Sequence, residues 1–355
     1  MNTSIDHSIE VQKNTSGRVP SDYLENPGFG TIFTNHMMVC DYSNGKWEKP
    51  KIIPYGPVEL DPSARVFHYG QSVFEGMKAY RGSDDKVWLF RPLENIRRLN
   101  NSAKRMAIPE FPEDIFLVAL QKLLILEKEW IAVGPGKSLY IRPLIIATES
   151  GLAATEAAEY KMMILCSPVT SYYSGDVKVL ISEKYNRAAD GGVGFAKTAG
   201  NYAAQFYPTA LAKDSGFQQL VWTDANTHQY LEESGTMNIF FRIGNSLVTA
   251  PTSDRILDGI TRKSILHLAE QNGIETEVRK VAVKEIISEW ENDNLLEMFG
   301  TGTAAVVVPI RGFGFRDQYY ELPDLTDSYM LDLKGKLEQI QYGLAPDDFN
   351  WRWLV

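Results

Sequence analysis

The sequence predicts two α/β domains meeting near residue 170, and three observations carry that expectation. At 355 residues and 44% hydrophobic, the chain can bury a large core and is long enough to divide. Strand-like runs rich in β-branched residues are interspersed with helical patterns in both halves. Between them lies PVTSYYSGD, Pro168 to Asp176, where turn formers surround two tyrosines as in an interdomain connection. The expected organisation is a disordered tail over 1–22, a small α/β domain over 23–168, an interdomain loop over 169–181 and a large α/β domain over 182–355.

The elements follow in order. Met1 to Pro20 is polar, carries Asp6 and Glu10, and has neither an apolar h-region nor an excess of arginine, so it reads as a tail rather than a signal or transit peptide. Ile32 to Tyr69 reads as short strands and turns, with the mobile-looking Ser43 to Pro50 joining two β-rich pieces. Val87 to Phe90 is a strand. Arg91 to Met106 is a helix with Pro92 near its start, where the missing N–H costs nothing, and Phe111 to Trp130 is a second, with Pro112 in its opening turn. Leu139 to Ile146 and Tyr160 to Ser167 read as strands. Beyond the connection, strands at Val177 to Ser182, Gln219 to Thr223, Met237 to Arg242 and Ser246 to Ala250 alternate with helices at Tyr202 to Ser215, Thr261 to Asn272 and Val283 to Glu291, and Ser328 to Tyr342 closes the pattern as a helix.

Composition excludes several classes. The net charge is −9 and no basic run or stripe appears, which argues against nucleic acid or an anionic membrane as partner. The longest apolar stretch, Ile115 to Val133, is broken by Gln121, Lys122, Glu127, Lys128 and Glu129, the pattern of an amphipathic helix and not of a membrane span. Cys40 and Cys166 are far apart with apolar neighbours, so buried free thiols in a reducing compartment fit better than a disulfide or a zinc site. No metal is expected, and the simplest location is the cytoplasm.

The chemistry concentrates in Gly191 to Asn201, GGVGFAKTAGN, and Leu231 to Phe241, LEESGTMNIFF. The first sets Lys197 among Phe195, Ala196, Ala199 and Tyr202, a small and partly apolar setting that lowers an amine's pKa by desolvation and favours nucleophilic use. The second puts a carboxylate on an apolar strand. A carbonyl cofactor with a basic ring nitrogen needs both: an amine for an imine, and an acid that keeps the ring protonated. Pyridoxal phosphate is such a cofactor. Glu232 and Glu233 fall on opposite faces of a strand, so only one need act and the other can face water.

Phosphate would need donors. LDGITRK, Leu257 to Lys263, is a turn leading into a helix where Ile260 and Thr261 could present backbone N–H groups and a hydroxyl; FGTGTAA, Phe299 to Ala305, is a small-residue turn; Arg98 could supply a charged fork. Each has an ordinary alternative as a cap, a turn or a solvated arginine, and only their coincidence carries weight. GGVGFAKT also approaches a nucleotide-binding phosphate loop, but Ala196 stands where that motif needs its second glycine, and KYNRAAD precedes it in place of a strand. HYGQSVFEGMKAYRG places Tyr69 and Phe74 near a turn, and Tyr140 and Arg142 alternate on LYIRP. An arginine on an apolar strand either pairs with an internal acid or waits for a ligand carboxylate, and spacing does not choose between them.

HYGQSVFEGMKAYRG, RRLNNSAKR, LYIRP, KTAGNY, EESGTMNIF, LDGITR and EMFGTGTAAVV occur in this order in sequences that this chain resembles, the branched-chain-amino-acid aminotransferases of the fold-type IV pyridoxal-phosphate enzymes. The resemblance runs from about residue 25 to the C-terminus. It implies the two-domain fold-type IV architecture with cofactor at the domain interface, and a homodimer. It implies that Lys197 is the Schiff-base and acid/base lysine, that Glu233 pairs with the pyridine nitrogen, and that Tyr202 lies near the cofactor's phenolic oxygen. Arg98, Ile260, Thr261 and Thr303 then hold phosphate, with Arg187 approaching it. Tyr69, Phe74, Tyr140, Arg142 and Tyr172 form the substrate pocket, and the amides around Thr303 and Ala304 hold the α-carboxylate.

On this reading the small-molecule substrates are L-leucine, L-isoleucine and L-valine with 2-oxoglutarate and glutamate, and Arg142 with tyrosine hydroxyls receives glutamate's side-chain carboxylate. A D-amino-acid aminotransferase or an aminodeoxychorismate lyase of the same fold is the alternative; LYIRP and EESGTMNIF favour the branched-chain enzyme. Some members carry Cys-x-x-Cys after the last motif; Ala305 and Val308 stand there, which removes a thiol switch at that place.

Overall fold

A computed structural model describes residues 9–15, 17–25, 27–170, 177–304 and 306–355. The chain forms two units, Met1–Tyr172 with Gln341–Val355, and Tyr173–Ile340.

In the first unit, Ser138–Ala147 pairs antiparallel along its whole length with Tyr160–Val169, and on its other edge with Met77–Arg81 and Ser72–Phe74. Among the described residues the sheet is ten-stranded. Two helices cover it, Pro92–Arg105 and Glu113–Leu126. Ile96, Leu99 and Ala103 recur at helical spacing on the first, and Phe116, Ala119, Leu120, Leu123 and Leu124 on the second; all are buried in one apolar cluster with the sheet residues Ala79, Leu89, Leu139 and Ile141. Each larger side chain buried there contributes roughly 1.5–3 kcal/mol.

Three expectations change here. The tail does not extend to residue 22: Glu10–Val11 adds to the sheet parallel to Lys51–Pro54, Ile9 is buried, and the Lys122 ammonium donates to the Ile9 carbonyl at 2.8 Å. Pro20–Asp22 is a short 3-10 turn. Backbone pairing, which composition does not report, fixes this segment. Ser43 to Pro50 is likewise ordered: Asn44 and Gly45 adopt φ 51° and 77° and fold His36–Ser43 back on Lys46–Trp47 as a hairpin. The region 182–355 is not one domain to its end, because Arg352–Leu354 pairs with Val87–Phe90 in the first unit, Trp353 opposite Leu89.

Among the described residues the second unit also holds a ten-stranded sheet. From Met237–Ile243 the path runs through Leu295–Gly302, Val306–Phe315, Val177–Ile181, Gln219–Thr223 and Tyr230–Ser234, and returns to Met237–Ile243, so this part of the sheet closes on itself. Val177–Ile181 is a strand, as read over Val177 to Ser182, and it belongs to that ring, parallel to both neighbours, so the interdomain loop does not extend to residue 181. Ile239, Phe241, Val179, Val221, Met298 and Ile310 form its core. The helix expected over Tyr202 to Ser215 divides into Ala199–Ala203 and Phe206–Asp214. Pro208 lies in the first turn of the second piece, where its missing N–H is tolerated.

Candidate active site

Lys197 ends an irregular segment between strand Val177–Ile181 and helix Ala199–Ala203. Its Nζ donates to the Tyr202 hydroxyl at 2.6 Å and lies 5.0 Å from the centroid of that ring. Tyr202 reaches it from one turn into the helix. Asn201, buried beside it, donates to the carbonyls of Val193 (2.7 Å) and Ala196 (2.8 Å), tying the segment to the helix that follows. The amides of Gly191 and Phe195 donate to Asp254, and those of Gly192 and Ala196 to Ala189 and Val193. Amides engaged this way do not cradle a nucleotide phosphate, and no strand leads directly into the segment, so the structure gives the phosphate-loop alternative no support.

Glu233 lies on strand Tyr230–Ser234, whose hairpin with Met237–Ile243 turns at Gly235. That glycine has φ +56°, a conformation that side chains rarely adopt, so the turn requires glycine, and a Cβ on it would also displace the Gln219 side chain. The turn sets Asn238 opposite Glu233. Asn238 Nδ2 donates to Glu233 Oε1 (2.9 Å) and to the Leu257 carbonyl (2.9 Å), the Leu257 amide donates to the same Oε1 (3.1 Å), and Arg187 Nη2 lies 2.5 Å from Oε2. Glu233 is 4% exposed, and both of its carboxylate oxygens have partners. Neither glutamate faces water: Glu232 is equally buried on the opposite face, paired with Arg255. Burial pushes its carboxyl up, and Arg255 pulls it back. The covering arginine is the reason the alternation rule did not expose it.

Arg187, Lys197, Tyr202 and Glu233 line one small cavity with Gly194, Ala196, Gln205 and Thr236. Arg187 is found on Glu233 and on the carbonyls of Gly194 (2.9 Å) and Arg255 (2.5 Å). Ile260 and Thr261 open the helix Ile260–Gln271, which has no side-chain cap. Thr303 and Ala304 form the half-buried turn between strands Leu295–Gly302 and Val306–Phe315. Two nearby buried hydroxyls, Ser234 Oγ and Thr301 Oγ1, have no hydrogen-bond partner among the described residues.

The first unit holds the other candidates. Arg98 makes a forked pair with Glu75, Nε to Oε1 at 2.6 Å and Nη2 to Oε2 at 2.9 Å, and Asn95 supports the same carboxylate, which is fully buried. Arg142 and Tyr140 share a face of Ser138–Ala147: Arg142 Nη2 donates to the Tyr140 hydroxyl at 2.9 Å, and the guanidinium carbon lies 4.7 Å from the centroid of Phe74 and 5.2 Å from that of Tyr140. Among the described residues Arg142 has no carboxylate partner, and its Nε is buried without an acceptor. Among the described residues the internal-acid alternative finds no support. Half-exposed Tyr69 donates to the Leu152 carbonyl. Tyr172 lies outside the described residues. A separate cleft of about 500 Å³ between Tyr42, Ile108 and Tyr160 contains none of these residues.

Asn238 and Glu75 were not anticipated. Asn238 had a readable signal, an amide five residues after Glu233 across a glycine turn; Glu75, inside VFEG, carried none that separates it from a solvated acid.

The family profile for amino-transferase class IV matches residues 72–313. The chain is 45% identical to branched-chain-amino-acid transaminase 1 of Bacillus subtilis (strain 168), over 93% of this chain and 96% of that protein. It is similar in structure to the branched-chain amino acid aminotransferase of Thermobaculum terrenum in its PLP form, with a TM-score of 0.74, 22% identity and coverage of 90% and 98%. It is similar also to the branched-chain amino acid aminotransferase from Escherichia coli, with a TM-score of 0.70, 24% identity and coverage of 88% and 98%.

Proposed function

We infer the activity from an established premise: the chain belongs to the amino-transferase class IV family and is a branched-chain-amino-acid aminotransferase. It moves the amino group between L-leucine, L-isoleucine or L-valine and 2-oxoglutarate, reversibly. An apolar pocket discriminates weakly between aliphatic side chains that differ by one methylene, so use of all three follows.

Pyridoxal 5'-phosphate is the cofactor in this reading. When bound it supplies an electrophilic aldehyde and a ring that takes up the electron pair left at the substrate's α-carbon. The residues present suit it. Lys197 supplies the amine and moves the proton at that α-carbon, with Tyr202 holding its Nζ at 2.6 Å. Glu233, charged and oriented by Asn238, Leu257 and Arg187, holds a proton at the ring nitrogen. The uncapped amides at Ile260 and Thr261, the Thr303 hydroxyl and the Arg98 guanidinium are assigned to phosphate. Arg187 is better placed for Glu233 than for phosphate on the contacts it makes. Thr303 and Ala304 amides are assigned to the α-carboxylate. Tyr69, Phe74, Tyr140 and Arg142 are assigned to the substrate side chain: the aromatic rings accept the aliphatic group, and Arg142, with no internal acid among the described residues, accepts the side-chain carboxylate of glutamate.

The observation that carries this reading is the meeting of the Lys197 amine and the buried Glu233 carboxylate on one cavity. Its test is direct. The purified protein is expected to be yellow, borohydride should fix the cofactor's mass on Lys197, and L-leucine with 2-oxoglutarate should turn over. Turnover of D-alanine or aminodeoxychorismate alone would overturn the substrate assignment.

Assembly as a homodimer belongs to the same proposal, supported by Phe206, Tyr207 and Leu211, which are 71%, 64% and 40% exposed on a single helix. A cytoplasmic location is proposed with it; among the described residues no helix is long and apolar enough to cross a membrane.

A further inference from the structure

The structure assigns a positioning role to Glu232 and Arg255: together they clamp the segment that carries Lys197. The proposal rests on the reading of Lys197 given above.

That segment has no regular secondary structure, yet it must hold one amine in place. Several of its outside contacts come from two neighbouring residues, Asp254 and Arg255. The Phe195 amide donates to the Asp254 carbonyl at 3.0 Å, and the Gly191 amide to Asp254 Oδ2 at 3.1 Å. Arg255 Nη1 meets Asp190 Oδ1 at 2.5 Å, and the Arg255 carbonyl accepts from Arg187 Nη2 at 2.5 Å. The backbones run so close that a Cβ on Gly194 would stand 2.7 Å from the Arg255 α-carbon.

Arg255 needs an anchor of its own, and Glu232 supplies it. Its Nε donates to Glu232 Oε1, with the two side chains 15% and 4% exposed. Glu232 stands on Tyr230–Ser234, a strand paired on both edges within the closed part of the sheet. The second oxygen of Glu232 is buried without a partner among the described residues, so Arg255 is the contact that holds this carboxylate in place. The consecutive acids therefore divide a task. Glu233 holds Arg187 from one face of the strand, Glu232 holds Arg255 from the other, and both arginines grip the same segment. A path of direct contacts leads from rigid sheet to Lys197 without Glu232 touching cofactor or substrate.

Hydrogen exchange on the full-length protein, with and without bound pyridoxal phosphate, separates this role from general stabilisation. In E232Q the amides of Gly191 and Phe195 should exchange about tenfold faster while those of Gln219–Thr223 keep their protection. The kcat for leucine should fall about 10- to 100-fold with KM changed less than about threefold, as expected for a displaced catalytic group. R255Q should loosen the same amides, and the double variant should be no worse than R255Q alone, since both act through one contact. R255Q also stands in should E232Q fail to fold. Unchanged exchange at Gly191 and Phe195 in either variant would overturn the clamp, as would an equal rise in the strand amides. An active Lys197→Ala variant would instead sink the reading of Lys197, leaving the exchange result to judge the clamp by itself.

Discussion

The Lys197 amine donates to the Tyr202 hydroxyl at 2.6 Å, from adjoining positions of a loop and the first turn of the helix it leads into. This contact orients the amine without burying it. Lys197→Ala is expected to bind the cofactor only non-covalently and to lose turnover by more than about 10⁴-fold, as removal of both the covalent anchor and the acid/base group requires. Tyr202→Phe, which removes only the orienting hydroxyl, is expected to lose about tenfold. Steady-state rates and intact mass after borohydride check both.

Glu233→Gln keeps the shape of the side chain and removes its charge. Arg187 then loses its carboxylate, and the ring nitrogen loses its counter-charge. Both half-reactions should slow by about 1000-fold, at least tenfold more than in E232Q. Equal losses in single-turnover traces of the two glutamine variants would remove the basis for assigning the ring nitrogen to Glu233.

Arg142→Gln should divide the two substrates. KM for 2-oxoglutarate and glutamate is expected to rise about 10- to 100-fold, the value of one charge-assisted contact in a partly buried site. The kcat/KM for leucine should stay within about threefold, because Phe74 and Tyr140 remain. Parallel loss for both substrates would show that Arg142 supports the pocket and does not read the carboxylate.

Asp224 gives a pH dependence. Burial pushes its carboxyl up, but the amides of Tyr230, Thr227 and Gln229 and the Thr227 hydroxyl outweigh this and hold it at about 2, against an ordinary 3.8. A folded value below the unfolded one means that its stabilisation, about 2 kcal/mol, is complete above pH 3.8 and is lost as pH falls towards 2. Asp224→Asn is expected to cost about that much at pH 7 and much less near pH 2. Urea denaturation at several pH values checks the convergence of the two proteins.

Phe206 and Leu211 provide the test of assembly. Paired substitution, Phe206→Asp with Leu211→Asp, should shift the protein from dimer to monomer by sedimentation while leaving far-ultraviolet circular dichroism unchanged, since both side chains are exposed within their own chain. A dimer that survives the substitution would place the interface elsewhere.

Elements governed by local pattern were legible in the sequence. Pro92 marks a helix start, and the strand read over Leu139 to Ile146 extends by only one residue at each end, to Ser138 and Ala147. Lys197, Tyr202 and Glu233 stand in short motifs as an amine, a phenol and an acid, and the structure brings them to one cavity. What escaped depends on partners distant in the chain. Nothing near Arg255 announces Glu232, nothing near Glu75 announces Arg98, and Trp353 carries no sign that it will lie opposite Leu89. The length of one helix differs for a local reason: Pro208 is unsuited to the interior of a helix over Tyr202 to Ser215, and the turn at Ala204 and Gln205 places it in a first turn instead.

The pairing of Arg352–Leu354 with Val87–Phe90 also sets a timetable. Most of the chain separates the two strands, so on the ribosome the earlier one emerges with an open edge and waits for its mate. At ordinary elongation rates the delay is on the order of ten seconds. Throughout that time a row of apolar residues, Val87, Leu89 and Phe90, offers backbone donors and acceptors to any neighbouring nascent strand. Polysome crowding and chaperone supply should therefore govern the soluble yield of this protein more than its final stability does.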